Sequence, residues 1–94
     1  MNTISLEQTV CRIDNKVLIS PLDGELVMMD IENGSYHNIN IVGTEIWEII
    51  KNPTPVKDIL KQLLQRFEVD EQQCLVELRE FLSKLDEHHL IKLI

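Results

Sequence analysis

Ninety-four residues, 44% of them hydrophobic and 27% charged, form one folded domain whose core burial leaves only a narrow margin of stability. Sixteen acidic against nine basic residues give a net charge of −7, which argues against the Lys/Arg-driven surfaces that nucleic acids and anionic membranes require. No apolar run approaches the ~20 residues of a membrane-spanning helix, and the opening MNTISLEQTV lacks the charged-then-apolar order of a signal peptide, so the expected setting is the cytoplasm.

In chain order, residues 1–8 read as a flexible lead-in, residues 9–39 as a sheet and residues 40–94 as a helical half. Thr9–Ile13 and Lys16–Ser20 are extended, with Asp14-Asn15 turning between them, and Pro21-Leu22-Asp23-Gly24 has the make-up of a tight turn. Glu25–Ile31 and Ser35–Ile39 follow, joined through Asn33-Gly34, whose tolerance of positive φ suits a two-residue hairpin. The product is an antiparallel meander of three or four strands, with one face to be covered by helices.

Asn40 is placed to cap the first helix, Ile41 to about Lys51, which turns Val42, Ile46, Trp47, Ile49 and Ile50 inward. Thr54 and Pro55 supply a cap and a first-position proline for the second helix, Val56 to Phe67. Its apolar stripe is Val56, Ile59, Leu60, Leu63, Leu64 and Phe67. Asp70 and Gln73 have capping-box spacing ahead of a third helix, Glu71 to about Asp86. Leu90–Ile94 is either an extended ending or a continuation of that helix.

Catalytic signatures are missing. The three glycines are isolated, and neither a nucleophile elbow nor a zinc-protease motif is present. His88 and His89, beside Asp86 and Glu87, would diverge by about 100° on a helix and read as solvent-exposed; His37 has no partner nearby in sequence. No cofactor, metal or catalytic residue is expected. Cys11 and Cys74 stand far apart, either as free thiols or as one long-range disulfide, and a reducing cytosol favours the thiols.

The third helix carries more apolar surface than one stripe needs: Leu75, Leu78, Leu82 and Leu85, widened on one side by Cys74 and Phe81. Either that breadth packs against two neighbours, or part of it walls a groove beside Ser35–Ile39. As the last strand of the meander, Ser35–Ile39 has an edge to which an extended peptide can add. The candidate binding residues are Ser35, Tyr36, His37, Asn38 and Ile39 on the strand, with Cys74, Glu77, Leu78 and Phe81 on the helix. Sheet plus helices also suits a winged helix-turn-helix, but a third helix with Glu71, Glu77, Glu80, Asp86 and Glu87 against Arg79 and Lys84 has the wrong sign for DNA.

The ordered set Ile39-Asn40, Gly43, Ile46-Trp47, Val69-Asp70 and Phe81-Leu82-x-x-Leu85, spread over Leu26 to Ile91, resembles the PqqD-like family of precursor-peptide recognition modules. The resemblance implies an α+β fold, a three-stranded antiparallel sheet followed by a winged-helix-like three-helix bundle. It also implies a non-catalytic, monomeric binder of the leader segment of a ribosomally made precursor peptide, lying along Ser35–Ile39 and the third helix. The expected partner is a separate enzyme: the leader peptidase of a lasso-peptide pathway, or alternatively a radical enzyme, as in pyrroloquinoline quinone biosynthesis. A winged-helix transcriptional regulator is the other reading.

Overall fold

The computed structural model describes residues 4–94; positions 1–3 of the expected lead-in lie outside the described residues. The chain runs β1 (Thr9–Arg12), a 3-10 turn (Asp14–Lys16), β2 (Val17–Leu22), β3 (Glu25–Asp30) and β4 (Ser35–Ile39). After these come α1 (Ile41–Ile49), β5 (Thr54–Pro55), α2 (Val56–Arg66), α3 (Glu71–Glu87) and β6 (Ile91–Leu93). It is the expected α+β class, with the strands in two antiparallel sheets ordered β2-β3-β4 and β5-β1-β6.

Turn chemistry decides how the first sheet pairs. Asp23 (φ 50°) and Gly24 (φ 83°) both take positive φ and close a two-residue hairpin, with Leu22 opposite Glu25. The expected four-residue turn is thus shortened, and Pro21 and Leu22 belong to β2. The reverse holds at Asn33-Gly34. Only Gly34 has positive φ (67°) there, and four residues, 31–34, separate Asp30 from its partner Ser35. A side chain takes over the turn: Asp30 accepts hydrogen bonds from Asn33 Nδ2 (2.7 Å) and from the Asn33 N–H (3.3 Å).

β1 does not join the meander. The Asp14–Lys16 turn redirects the chain, and β1 is taken by the other end of the molecule, with Cys11 opposite Lys92, Arg12 opposite Ile91 and Val10 opposite Thr54. Leu90–Ile94 is therefore extended rather than helical. Thr54 and Pro55 are drawn into this sheet; Thr54 does not cap α2, and its hydroxyl donates instead to the Asn52 carbonyl (2.8 Å). The described part of the lead-in is anchored: Ile4 is buried, and the Leu6 and Gln8 carbonyls accept from the N–H groups of Lys57 and Val56.

The core lies between the first sheet's inner face and the helices. Met28 and Ile39 meet Ile46 and Trp47 of α1, Ile59 and Leu63 of α2, and Leu78 and Leu82 of α3. Burying each such aliphatic side chain contributes about 1.5–3 kcal/mol against chain entropy. Along β2 only Val17 is buried, so the β2-β3 hairpin projects from the body as a wing. Asp70 caps α3 by accepting from the Gln73 N–H (3.1 Å); Gln73 does not return the bond but donates to Glu77 instead (3.0 Å).

Candidate functional site

β4 is an edge strand of its sheet, and the register shows which of its backbone groups are free. The Ile31 N–H donates to the Lys16 carbonyl (3.0 Å), one step beyond the Val17–Asp30 pair. Hydrogen-bonded and open pairs alternate along an antiparallel ladder. Val27 and Met29 therefore direct their backbone groups to β2, while Leu26 and Met28 direct theirs to Ile39 and His37. What remains at the open edge is the N–H and C=O of Tyr36 and Asn38. Their side chains are exposed on the outer face of the sheet, and those of His37 and Ile39 turn towards α3.

Between this strand and α3 lies a cleft of about 280 Å³, lined by Tyr36, His37, Asn38 and Ile39 on one side and by Phe81, Lys84 and His88 on the other, with Met28 and Leu90 also contributing. A second cleft of about 280 Å³ is lined by Val42, Gly43 and Ile46 of α1 and by Glu77 and Glu80 of α3. The two share Asn40, Phe81 and Lys84 and form one trough along α3. Asn40 is fixed there because its side chain caps α1, accepting from the Gly43 N–H at 2.8 Å.

Of the sequence-derived candidates, Tyr36, His37, Asn38, Ile39, Glu77 and Phe81 come together around the trough. Ser35 is half-buried opposite Asp30 and lines neither cleft. Cys74 and Leu78, 3% and 0% exposed, are core rather than groove wall. The buried stripe of α3 is Cys74, Leu78, Leu82 and Leu85, and Leu75 is the residue displaced to its flank. Lys84, His88 and Asn40 are additional lining residues. Continuing from Glu77 and Phe81 at helical spacing leads directly to Lys84 and His88, a signal present in the sequence.

The groove is electrostatically divided. Glu77 and Glu80 line one cleft, His37 and His88 the other, and Lys84 borders both. Burial, reinforced by the charges of His88 and Lys84 and opposed by that of Asp30, holds the His37 imidazole below the ordinary histidine value. Behind it lies Asp30, 1% exposed, whose carboxyl is held below its usual range first of all by the hydrogen bond from the Asn33 side chain. The trough therefore offers unpaired backbone groups, an apolar floor and charges of both signs. Among the described residues it holds no nucleophile and base in hydrogen-bonding contact.

The family profile described as coenzyme PQQ synthesis protein D (PqqD) matches residues 25–91. No curated protein sequence matches the chain significantly. One similar solved structure, described as TbiB1 in complex with the TbiA(beta) leader peptide, superposes with a TM-score of 0.73 at 24% identity, covering 87% of this chain and 94% of that one. Another, described as lasso peptide synthetase B1 complexed with the leader peptide, has a TM-score of 0.72 at 16% identity, covering 88% and 96%. At such identities the likeness is one of fold.

Proposed function

The chain belongs to the PqqD family, and we propose that it is a non-catalytic binder of the leader segment of a ribosomally synthesised precursor peptide. The leader adds as a strand to β4, bonding to the backbone of Tyr36 and Asn38, while its side chains enter the trough against Phe81. The observation that carries this reading is the phase of the β4 ladder, which leaves two residues' hydrogen-bonding groups open along the rim of a cleft of mixed apolar and polar lining. Main-chain bonds supply affinity for an extended peptide, and the pockets between them supply selectivity.

The bound leader is presented to a separate maturation enzyme, with the leader peptidase of a lasso-peptide pathway as the favoured recipient. Support for that choice comes from the two similar folds, both described in complex with a leader peptide and one as a lasso peptide synthetase B1. Binding to duplex DNA is disfavoured by the net charge of −7 and by Glu77 and Glu80 on the groove wall.

Titrating the ¹⁵N-labelled chain with synthetic leader segments, taken from precursors encoded beside its gene, tests the proposal. Amide shifts should concentrate at Tyr36 to Ile39 and along Glu77, Phe81 and Lys84. Shifts confined to the β5-β1-β6 sheet, or saturable binding that leaves β4 unperturbed, would refute strand addition.

A further inference from the structure

Three side chains that are distant in sequence meet behind the groove: Asp30 at the end of β3, His37 on β4 and His88 just beyond α3. One ligand atom from each lies within 4.8 Å of the others. His88 Nδ1 is 3.6 Å from Asp30 Oδ2, and the His37 and His88 rings stand edge to face with centroids 4.9 Å apart. We propose that Asp30, His37 and His88 form a binding site for a divalent late first-row cation of the zinc class.

The donor set fits that chemistry. Two imidazoles and one carboxylate suit zinc and its neighbours, whereas calcium and magnesium take oxygen ligands. Zinc holds nitrogen and oxygen at about 2.0–2.2 Å, so ligands in a tetrahedron stand roughly 3.4 Å apart. The Asp30–His88 pair is already near that spacing, and rotation of the half-exposed imidazoles closes the rest.

Two further observations favour a cation over a simple ion pair. His37 Nε2 is buried without a hydrogen-bond partner among the described residues, although buried polar atoms are rarely left so. An Asp30–His88 pair leaves that nitrogen unexplained, and a shared metal accounts for it. Asp30 is also oriented from behind by the Asn33 side chain and backbone, as ligating carboxylates are by their outer hydrogen bonds. Lys84 lines the same cleft, but it is exposed and its long stem lets the ammonium turn to solvent.

His37 and His88 line the cleft, so the remaining coordination positions open to it and take water. A bound ion ties β3, β4 and the end of α3 together and so sets the width of the trough. Of the run Asp86-Glu87-His88-His89 only His88 takes part, half-buried rather than solvent-exposed, and its partners Asp30 and His37 come from the sheet.

Zinc(II) titrated calorimetrically into the full chain, in a Cys11→Ser background that removes the half-exposed thiol, tests the site without any peptide. One ion per chain should bind, the melting temperature should rise with zinc, and His37→Ala and His88→Gln should each weaken binding at least tenfold. His89→Asn, at an exposed neighbour with φ of 58° that asparagine tolerates, should bind as the parent does. Should His37→Ala fail to fold, His88→Gln at the end of the helix carries the comparison. Absence of zinc binding, or undiminished binding in a folded His37→Ala or His88→Gln variant, overturns the proposal and leaves the peptide reading untouched.

Discussion

The Cβ that Gly43 lacks would stand 2.7 Å from Cγ2 of Ile39 and 3.4 Å from Cε1 of Phe81. The first turn of α1 thus presses on the end of β4 and the middle of α3, where the two clefts join. Gly43→Ala sets two effects against each other. Helix propensity gains about 0.5–1 kcal/mol, while overpacking costs about 1–3 kcal/mol. Ile39 is 8% exposed and β-branched, so it cannot rotate away freely. Overpacking should win, with a net loss of about 1 kcal/mol and a melting temperature lower by about 4–8 °C. Thermal unfolding measures this, and an unchanged or higher midpoint would contradict the packing argument.

Proline substitutions separate the two sides of β4. The Asn38 N–H faces the open edge, so Asn38→Pro should fold and lose leader binding at least tenfold, since proline cannot donate to an added strand. The His37 N–H is used in the ladder to Met28, so His37→Pro should disrupt the hairpin itself. Circular dichroism and peptide titration together distinguish these. Full affinity in a folded Asn38→Pro protein would remove the edge from the mechanism.

The two thiols should behave differently. Cys74 is 3% exposed, and burial, with help from the charge of Glu77, raises its pKa and keeps it protonated at neutral pH. Cys11 is half-exposed. An aromatic disulfide reagent at pH 8 should titrate one thiol in the native chain within minutes and two after unfolding. Rapid native-state reaction of both would show that α3 is not packed as described.

Much of the fold was legible because it depends on neighbours a few residues apart. Asn40 and Asp70 cap their helices as their spacing indicates, and the buried residues of α2, Val56, Ile59 and Leu63, follow the 3.6-residue period. The candidate site is legible in part: the sequence shows the strand edge and the Glu77–Phe81 stripe, whereas Cys74 and Leu78, candidates for the groove wall, lie in the core. A broad apolar helix face does not reveal which of its flanks meets the core, and a buried cysteine packs as a small hydrophobe.

Helix periodicity and caps are properties of short windows and net charge is a sum over the composition, so the sequence alone settles them. Pairing between chain segments is not so settled. The sheet that joins β1 to β6 brings Arg12 opposite Ile91, and the turn held by Asp30 positions that carboxylate beside His88. Neither contact leaves a periodic or compositional trace, because each depends on where folding brings distant segments. The same is true of the phase of β4. The Ile31 N–H to Lys16 carbonyl bond marks the register that leaves the backbone groups of Tyr36 and Asn38, rather than those of His37, at the open edge.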